Sequence, residues 1–359
     1  MPKSFRKHLR LTVAIALAPF LFAAAASAQK ATVKVMTYNL FQGTDFTGIL
    51  SAQSAEQYFA AAPLTLQEVE DSNLPARMKA IAHQIAISQP DIVGLEEATL
   101  WRYDIGPFPT QILYDPLQYL LNDLQNQGLH YAPAVVADEY ELQGPLTYAG
   151  WPWLRANGRN VLLARTDMPE MQISNPQKGT FQAHIEVPLP LSTEPLPILR
   201  SWGSVDVNLH GVSFRVFVTH LENPIPGIDL TYQLQQVQAM ELNYVTLNTT
   251  LPVIVLGDFN AIANDPNDPS NKTYREMRDD FGFGDAWADR NPPRPGLTWP
   301  LINSSNSDTA SQRIDFVFYR GHVKTLQTQL SGDMKQDKID GMWPSDHAGL
   351  SAHMQVDSR

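Results

Sequence analysis

Strand-like runs outnumber helical ones along this 359-residue chain, several lie close enough in sequence to pair as hairpins, and the two clearest helices are amphipathic. These observations predict an α+β fold, a four-layer α/β/β/α sandwich of two mainly antiparallel sheets flanked by helices. Strands are expected at residues 33–39, 92–95, 160–164, 204–209, 214–219, 253–256, 314–319 and 350–356, each a short run rich in β-branched or aromatic residues. The fourth and fifth flank a turn holding His210 and Gly211, which marks a hairpin. Helices are expected at 77–88, where Met78, Ile81, Ala82 and Ile85 recur at helical spacing behind Pro75, and at 232–247, with Leu234, Val237, Glu241 and Tyr244 on neighbouring turns. Three stretches, 42–74, 101–158 and 167–199, show no clear pattern and read as long loops that rim a site.

The first 28 residues read as a secretory leader: Lys3, Arg6, Lys7 and Arg10 precede an apolar run from Leu11 to Ala26, and Ala26-Ser27-Ala28 fits a cleavage site. The apolar run is short for a bilayer-spanning helix, which takes about 20 residues. The expectation is export, to the outside or the periplasm, of one catalytic domain spanning 29–359. Without the four basic residues of the leader, the balance is 22 basic to 37 acidic, or −15. That argues against a broad basic stripe for nucleic acid. There is no cysteine, so zinc–thiolate sites and cysteine nucleophiles are excluded.

Polar residues recur where apolar strands end. VIVLGDFN reaches Asp258 and Asn260; KVMTYN ends in Asn39; PDIVGLEE ends in Glu96 and Glu97; FRVFVTHLEN reaches His220 and Asn223; RIDFVF carries Asp315; PSDHAGL places Asp346 and His347 before the last strand. Singly, each is a turn cap or a solvated charge. Together, Glu, Asp and Asn oxygens without cysteine suit a hard cation, Mg²⁺ with Mn²⁺ or Ca²⁺ as alternatives, and two histidines beside it suit phosphate ester hydrolysis.

The ordered set TYN, PDIVGLEE, VTHLEN, GDFN, RIDFVF and SDH, from Met36 to about Met354, resembles the endonuclease/exonuclease/phosphatase superfamily. The resemblance implies a metal site at Asn39 and Glu97, with Glu97 as direct ligand and Asp346 against the metal. It implies His347 as catalytic histidine, Asp315 as the carboxylate that orients it, Asp258 as the group handling the attacking water, Asn260 as a donor to phosphoryl oxygens, and His220 as a general acid or phosphate contact. Asp258 and His347 both remain candidates for general base. Glu96 stands where the family usually has Gln, an added charge that would tighten cation binding or raise a neighbouring pKa. A non-catalytic binding module is disfavoured, because no motif position holds an inert residue.

The substrate expected is a phosphoester, in nucleic acid or in a phospholipid headgroup. A nuclease needs cations at the cleft, for which Arg155, Arg159, Arg294 and Arg313 are candidates. A phospholipase C-like or sphingomyelinase-like enzyme needs fewer and could use Trp151-Pro152-Trp153 for interfacial membrane contact, although the aromatics of 101–158 also read as packing.

Overall fold

A computed structural model describes residues 29–106, 108–150, 152–224, 229–302 and 309–358. The leader and Trp151 lie outside them. The first sheet opens with β1 (Lys30–Asn39) and passes through α1 (Thr47–Leu50), α2 (Ala55–Asp71) and α3 (Leu74–Ser88) to β2 (Ile92–Glu96). It then takes in β3 (Leu100–Asp104), β4 (Gln111–Tyr114), α4 (Pro116–Asn126), β5 (Tyr131–Pro145) and β6 (Trp153–Arg165). The second sheet begins with β7 (Met171–Thr180), and a small ribbon of β8 (Ile185–Val187) and β9 (Leu196–Ile198) follows. After it come β10 (Ser201–Leu209), β11 (Val212–His220), α5 (Asp229–Thr246), β12 (Val253–Asp258), α6 (Asn271–Arg275), β13 (Gly284–Asp285), α7 (Ala286–Arg290) and β14 (Asp315–Arg320). The chain returns to the first sheet as β15 (Val323–Ser331) and β16 (Gly349–Asp357).

The orders are β15-β16-β1-β2-β6-β3-β4, with β5 also on β6, and β13-β14-β12-β11-β10-β7. Each sheet contains one parallel pair, β1 with β2 and β11 with β12; the other pairings among the described residues are antiparallel. The burial pattern explains the layers. In β12, Ile254 and Leu256 face the core between the sheets, while Val253 and Val255 face an outer core with Ala239 and Leu242 of α5. A strand covered on both faces has to be apolar throughout, which is why Val253 to Leu256 shows no alternation. On the other side, Met78, Ile81 and Ile85 of α3 pack with Leu120 and Leu124 of α4 on Val93 and Leu95.

Register carries the polar strand ends to one pole. Asn39 is level with Glu96 across β1 and β2, and His220, Asp258 and Asp315 are level across β11, β12 and β14. Backbone crowding at this pole is severe: a Cβ on Gly257 would stand 2.3 Å from the Thr219 carbonyl oxygen. Phe259 turns the other way and packs edge-on against Phe316 and Phe318 at 5.7 and 4.9 Å.

The three stretches read as loops are largely structured, which corrects that expectation. Residues 42–74 hold α1 and α2, hidden in the sequence because Pro63 lies inside α2. Residues 101–158 hold β3, β4, α4, β5 and half of β6; β5 lost its alternation to register shifts between Pro133 and Val135 and between Asp138 and Glu141. Residues 167–199 hold β7 to β9, of which β7 is an edge strand with mostly exposed polar residues. β15 is likewise an edge strand, and its mixed pattern hides it in the sequence. Of the aromatics in 101–158, Trp101 and Tyr140 are buried core residues, whereas Tyr148 is 71% exposed.

Gly257→Ala should cost about 1–3 kcal/mol by overpacking, read as a lower midpoint in urea unfolding. An unchanged midpoint would mean that β11 and β12 have room to part.

Candidate active site

The sequence-predicted residues converge on one oxygen of Asp258. Its Oδ2 accepts from Asn39 Nδ2 at 3.0 Å and lies 3.6 Å from His220 Nε2 and 3.7 Å from His347 Nε2. Its Oδ1 accepts the backbone N–H of Asn260 at 2.8 Å, a turn that Asn260 closes with φ near 50°. The Asn39 bond ties the first sheet to the second. The gaps to the two histidines are too long for direct hydrogen bonds.

His347 is fixed from both ends. Nδ1 meets Asp315 Oδ2 at 2.9 Å, and the backbone N–H donates to Ser345 Oγ, which in turn donates to the Asn39 carbonyl. With Nδ1 so engaged, Nε2 is left facing Asp258 and Asp346, the latter at 3.9 Å. Burial works against charge on His347, but Asp315, Asp346 and Asp258 outweigh it and hold its pKa well above the ordinary value. Asp258 is pushed up to about 7 by burial and by Asp315, with His347 pulling the other way.

Beside this group, Glu97 and Asp346 form a half-buried carboxylate pair. Burial and then Asp346 raise the Glu97 pKa. Its two oxygens accept from Asn39 Nδ2 at 3.2 Å and from the backbone of Gln42 at 2.9 Å, with the residue at φ near 54°. These two carboxylates, with His347 Nε2 3.9 Å from Asp346 and buried Arg77 engaged by backbone carbonyls as the basic groups near them, fit a hard cation. Asn39 Oδ1 is taken by the Phe41 N–H at 2.9 Å, so Asn39 orients Glu97 and Asp258. Asp258, Asp315 and His347 also lie close enough to bind a metal, but there the imidazolium already supplies the positive charge.

Sequence reasoning missed several groups. Arg77 is buried and donates to the carbonyls of Leu40, Phe41, Ser72 and Pro344, which clamps the turns carrying Asn39 and Asp346. Around His220 stand Glu139, Arg200 and Glu222, all buried. Arg200 lies 3.1 Å from His220 Nδ1 and 3.3 Å from Glu222, and Glu139 takes a bond from Asn160. Burial, Arg200 and His347 together hold His220 well below its ordinary pKa, so it is neutral. Its Nε2 lies 3.1 Å from Asn260 Nδ2. A lone arginine in the apolar run PLPILRSW was the one signal available for Arg200. Asn223 is exposed, and the buried polar residue beside it is Glu222.

Glu96 is fully buried with Oε1 accepting from Thr37 Oγ1, and burial followed by Asp315 raises its pKa well above the ordinary value. Burial thus works against charge on Glu96, at the position where the resemblance implies a carboxamide.

The sequence pattern described as Endonuclease/Exonuclease/phosphatase family matches residues 36–347. No curated protein matches. Among solved structures, an endonuclease/exonuclease/phosphatase protein from Bacteroides vulgatus is 15% identical, with 91% of this chain and 99% of that one covered at a TM-score of 0.57. One from Beutenbergia cavernae is 20% identical over 90% of this chain and 72% of that one, at 0.55. One from Bacteroides thetaiotaomicron is 14% identical over 92% and 99%, at 0.54. At such identities these structures show the fold alone.

A folded-state pKa raised for an acid means stability lost as pH climbs above the unfolded value, about 4.3 for Glu, toward the folded one. Glu96→Gln removes that loss. In EDTA, urea unfolding should find the variant more stable than wild type at pH 8, with the difference shrinking at pH 5. A difference independent of pH would refute a protonated Glu96.

Proposed function

The chain belongs to the endonuclease/exonuclease/phosphatase family, whose fold is that of a phosphoester hydrolase, and from that premise we propose that it is an exported, divalent-cation-dependent phosphodiesterase. The observation that carries this reading is the convergence of Asn39, His220 and His347 on Asp258 beside the Glu97–Asp346 pair. Residues 29–359 act as one catalytic domain, and the leader at 1–28 directs export. Among the described residues no helix is long and apolar enough to cross a membrane.

Glu97 and Asp346 would hold the cation, with Asn39 aligning Glu97. When bound, Mg²⁺ or Mn²⁺ would neutralise the phosphate and the leaving oxygen. Asp258, with its pKa brought to about 7, takes the proton of the attacking water near neutral pH. Asp315 holds the imidazolium of His347 with Nε2 toward the reaction, where its charge favours the pentacoordinate phosphorus. Neutral His220 and the Asn260 amide orient the phosphoryl oxygens.

A long polyanion is disfavoured by the fate of the arginines. Arg155 pairs with Asp104 at 2.6 Å, Arg159 with Asp115 at 2.6 Å and Arg313 with buried Asp285 at 2.5 Å. Among the described residues, Arg294 alone of the four candidates is exposed and makes no ion pair.

On bis-p-nitrophenyl phosphate, His347→Ala and Asp258→Asn should each lower kcat by about 10²–10⁴, EDTA should abolish turnover and Mg²⁺ or Mn²⁺ should restore it. The exported protein should begin at Gln29 by mass spectrometry. Activity indifferent to EDTA and to both substitutions would reject the reading.

A further inference from the structure

Two stretches of this acidic chain, 105–114 and 142–154, contain no Asp, Glu, Lys or Arg. They belong to neighbouring hairpins, β3–β4 and β5–β6. The pairings Asp104↔Trp153 and Pro145↔Trp153 set the two tips side by side at one height. Below the tips the charges cancel: Arg155 pairs with Asp104 at 2.6 Å and Arg102 with Glu141 at 3.1 Å. Above that belt Ile105 at 50%, Phe108 at 67% and Tyr148 at 71% exposure face water while Leu146 is buried, and Ile112, level with Arg102, is 66% exposed. Tyr148 is braced by the Phe59 ring of α2, 4.1 Å away.

The hairpins stand on the active-site side. β6 runs antiparallel to β2, whose last pairing with it is Leu95↔Val161, so the half of β6 before Asn160 continues past the level of the site. From Asn160 to Trp153 that extension rises about 23 Å at the usual rise per strand residue. The cleft therefore opens beside a raised platform with an apolar, uncharged tip.

Resting on the phosphodiesterase reading, we propose that the paired tips dock on a zwitterionic lipid surface and that the diester hydrolysed is a neutral lipid headgroup. The chemistry selects this occupant. Nucleic acid is gripped through Lys and Arg, and the tips have none. A stable protein interface needs roughly 800 Å² per partner with a hydrogen-bonding rim, more than two narrow hairpin tips without charged side chains present. Aromatic and aliphatic side chains at protruding turns match the headgroup boundary of a bilayer. The remaining charge of −15, from 22 basic and 37 acidic residues after the leader, opposes approach to an anionic membrane.

The test sediments the exported protein, with Mg²⁺, against vesicles of phosphatidylcholine and sphingomyelin, and against vesicles enriched in phosphatidylserine. Wild type should partition to the neutral vesicles and less to the anionic ones. Phe108→Ser combined with Tyr148→Ser should weaken neutral-vesicle partitioning by about tenfold or more and slow headgroup release equally. Turnover of soluble bis-p-nitrophenyl phosphate should be unchanged. No partitioning by wild type, equal partitioning by the double variant, single-stranded DNA retained through the tips, or a dimer that the substitutions dissociate would each overturn the proposal. If wild type turns over the soluble diester but ignores vesicles, this inference alone fails; if it turns over neither, the phosphodiesterase reading fails.

Discussion

The buried contact of His347 with Asp315 and Asp258 is what the rest of the site depends on. Asp315 and Asp258 belong to the second sheet and His347 to the loop that enters β16 of the first, so the charges meet across the line where two apolar layers close. Separately, each would be a costly buried ion; together, the imidazolium is the counter-charge that lets two carboxylates remain close. The Asn39 bond to Asp258 makes the same crossing from a neutral amide. Closing the sheets and assembling the site are thus one event.

Around that centre the protein separates charge by position. Glu97 and Asp346 form a negative pole, with buried Arg77 beneath them gripping the carbonyls of Leu40, Phe41 and Pro344. Burial lowers the Arg77 pKa to about 10 against the pull of Asp346 and Glu97, which still leaves it charged at neutral pH. On the opposite side burial, and after it Arg200 held between Glu222 and His220, keeps His220 well below its ordinary pKa. One histidine is charged and the other is not because their nearest buried partners have opposite signs.

Much of this was legible in the sequence. The strands that deliver Asn39, Glu97, His220, Asp258 and Asp315 are buried along the halves that reach the site, so their runs there are continuous and their polar ends are conspicuous. The α3 helix was equally plain from Met78, Ile81 and Ile85. What escaped was the periphery: β5 is broken by two register shifts, β7 and β15 are edge strands with one wet face, and α2 carries Pro63 in its interior. Glu139, Arg200 and Arg77 could not be assigned, because their partners are distant in sequence and in part backbone carbonyls. Glu96 reads as a charge in the sequence, because the burial that raises its pKa is not displayed there.

The central claim is that Asp315 and its neighbours keep His347 charged inside the closed sandwich. NMR titration of the imidazole nitrogens in metal-free protein tests it most directly. His347 should stay protonated well above the ordinary histidine value of about 6.5, and Asp315→Asn should lower its midpoint. A His347 that titrates at or below that value in the wild-type protein would contradict the account.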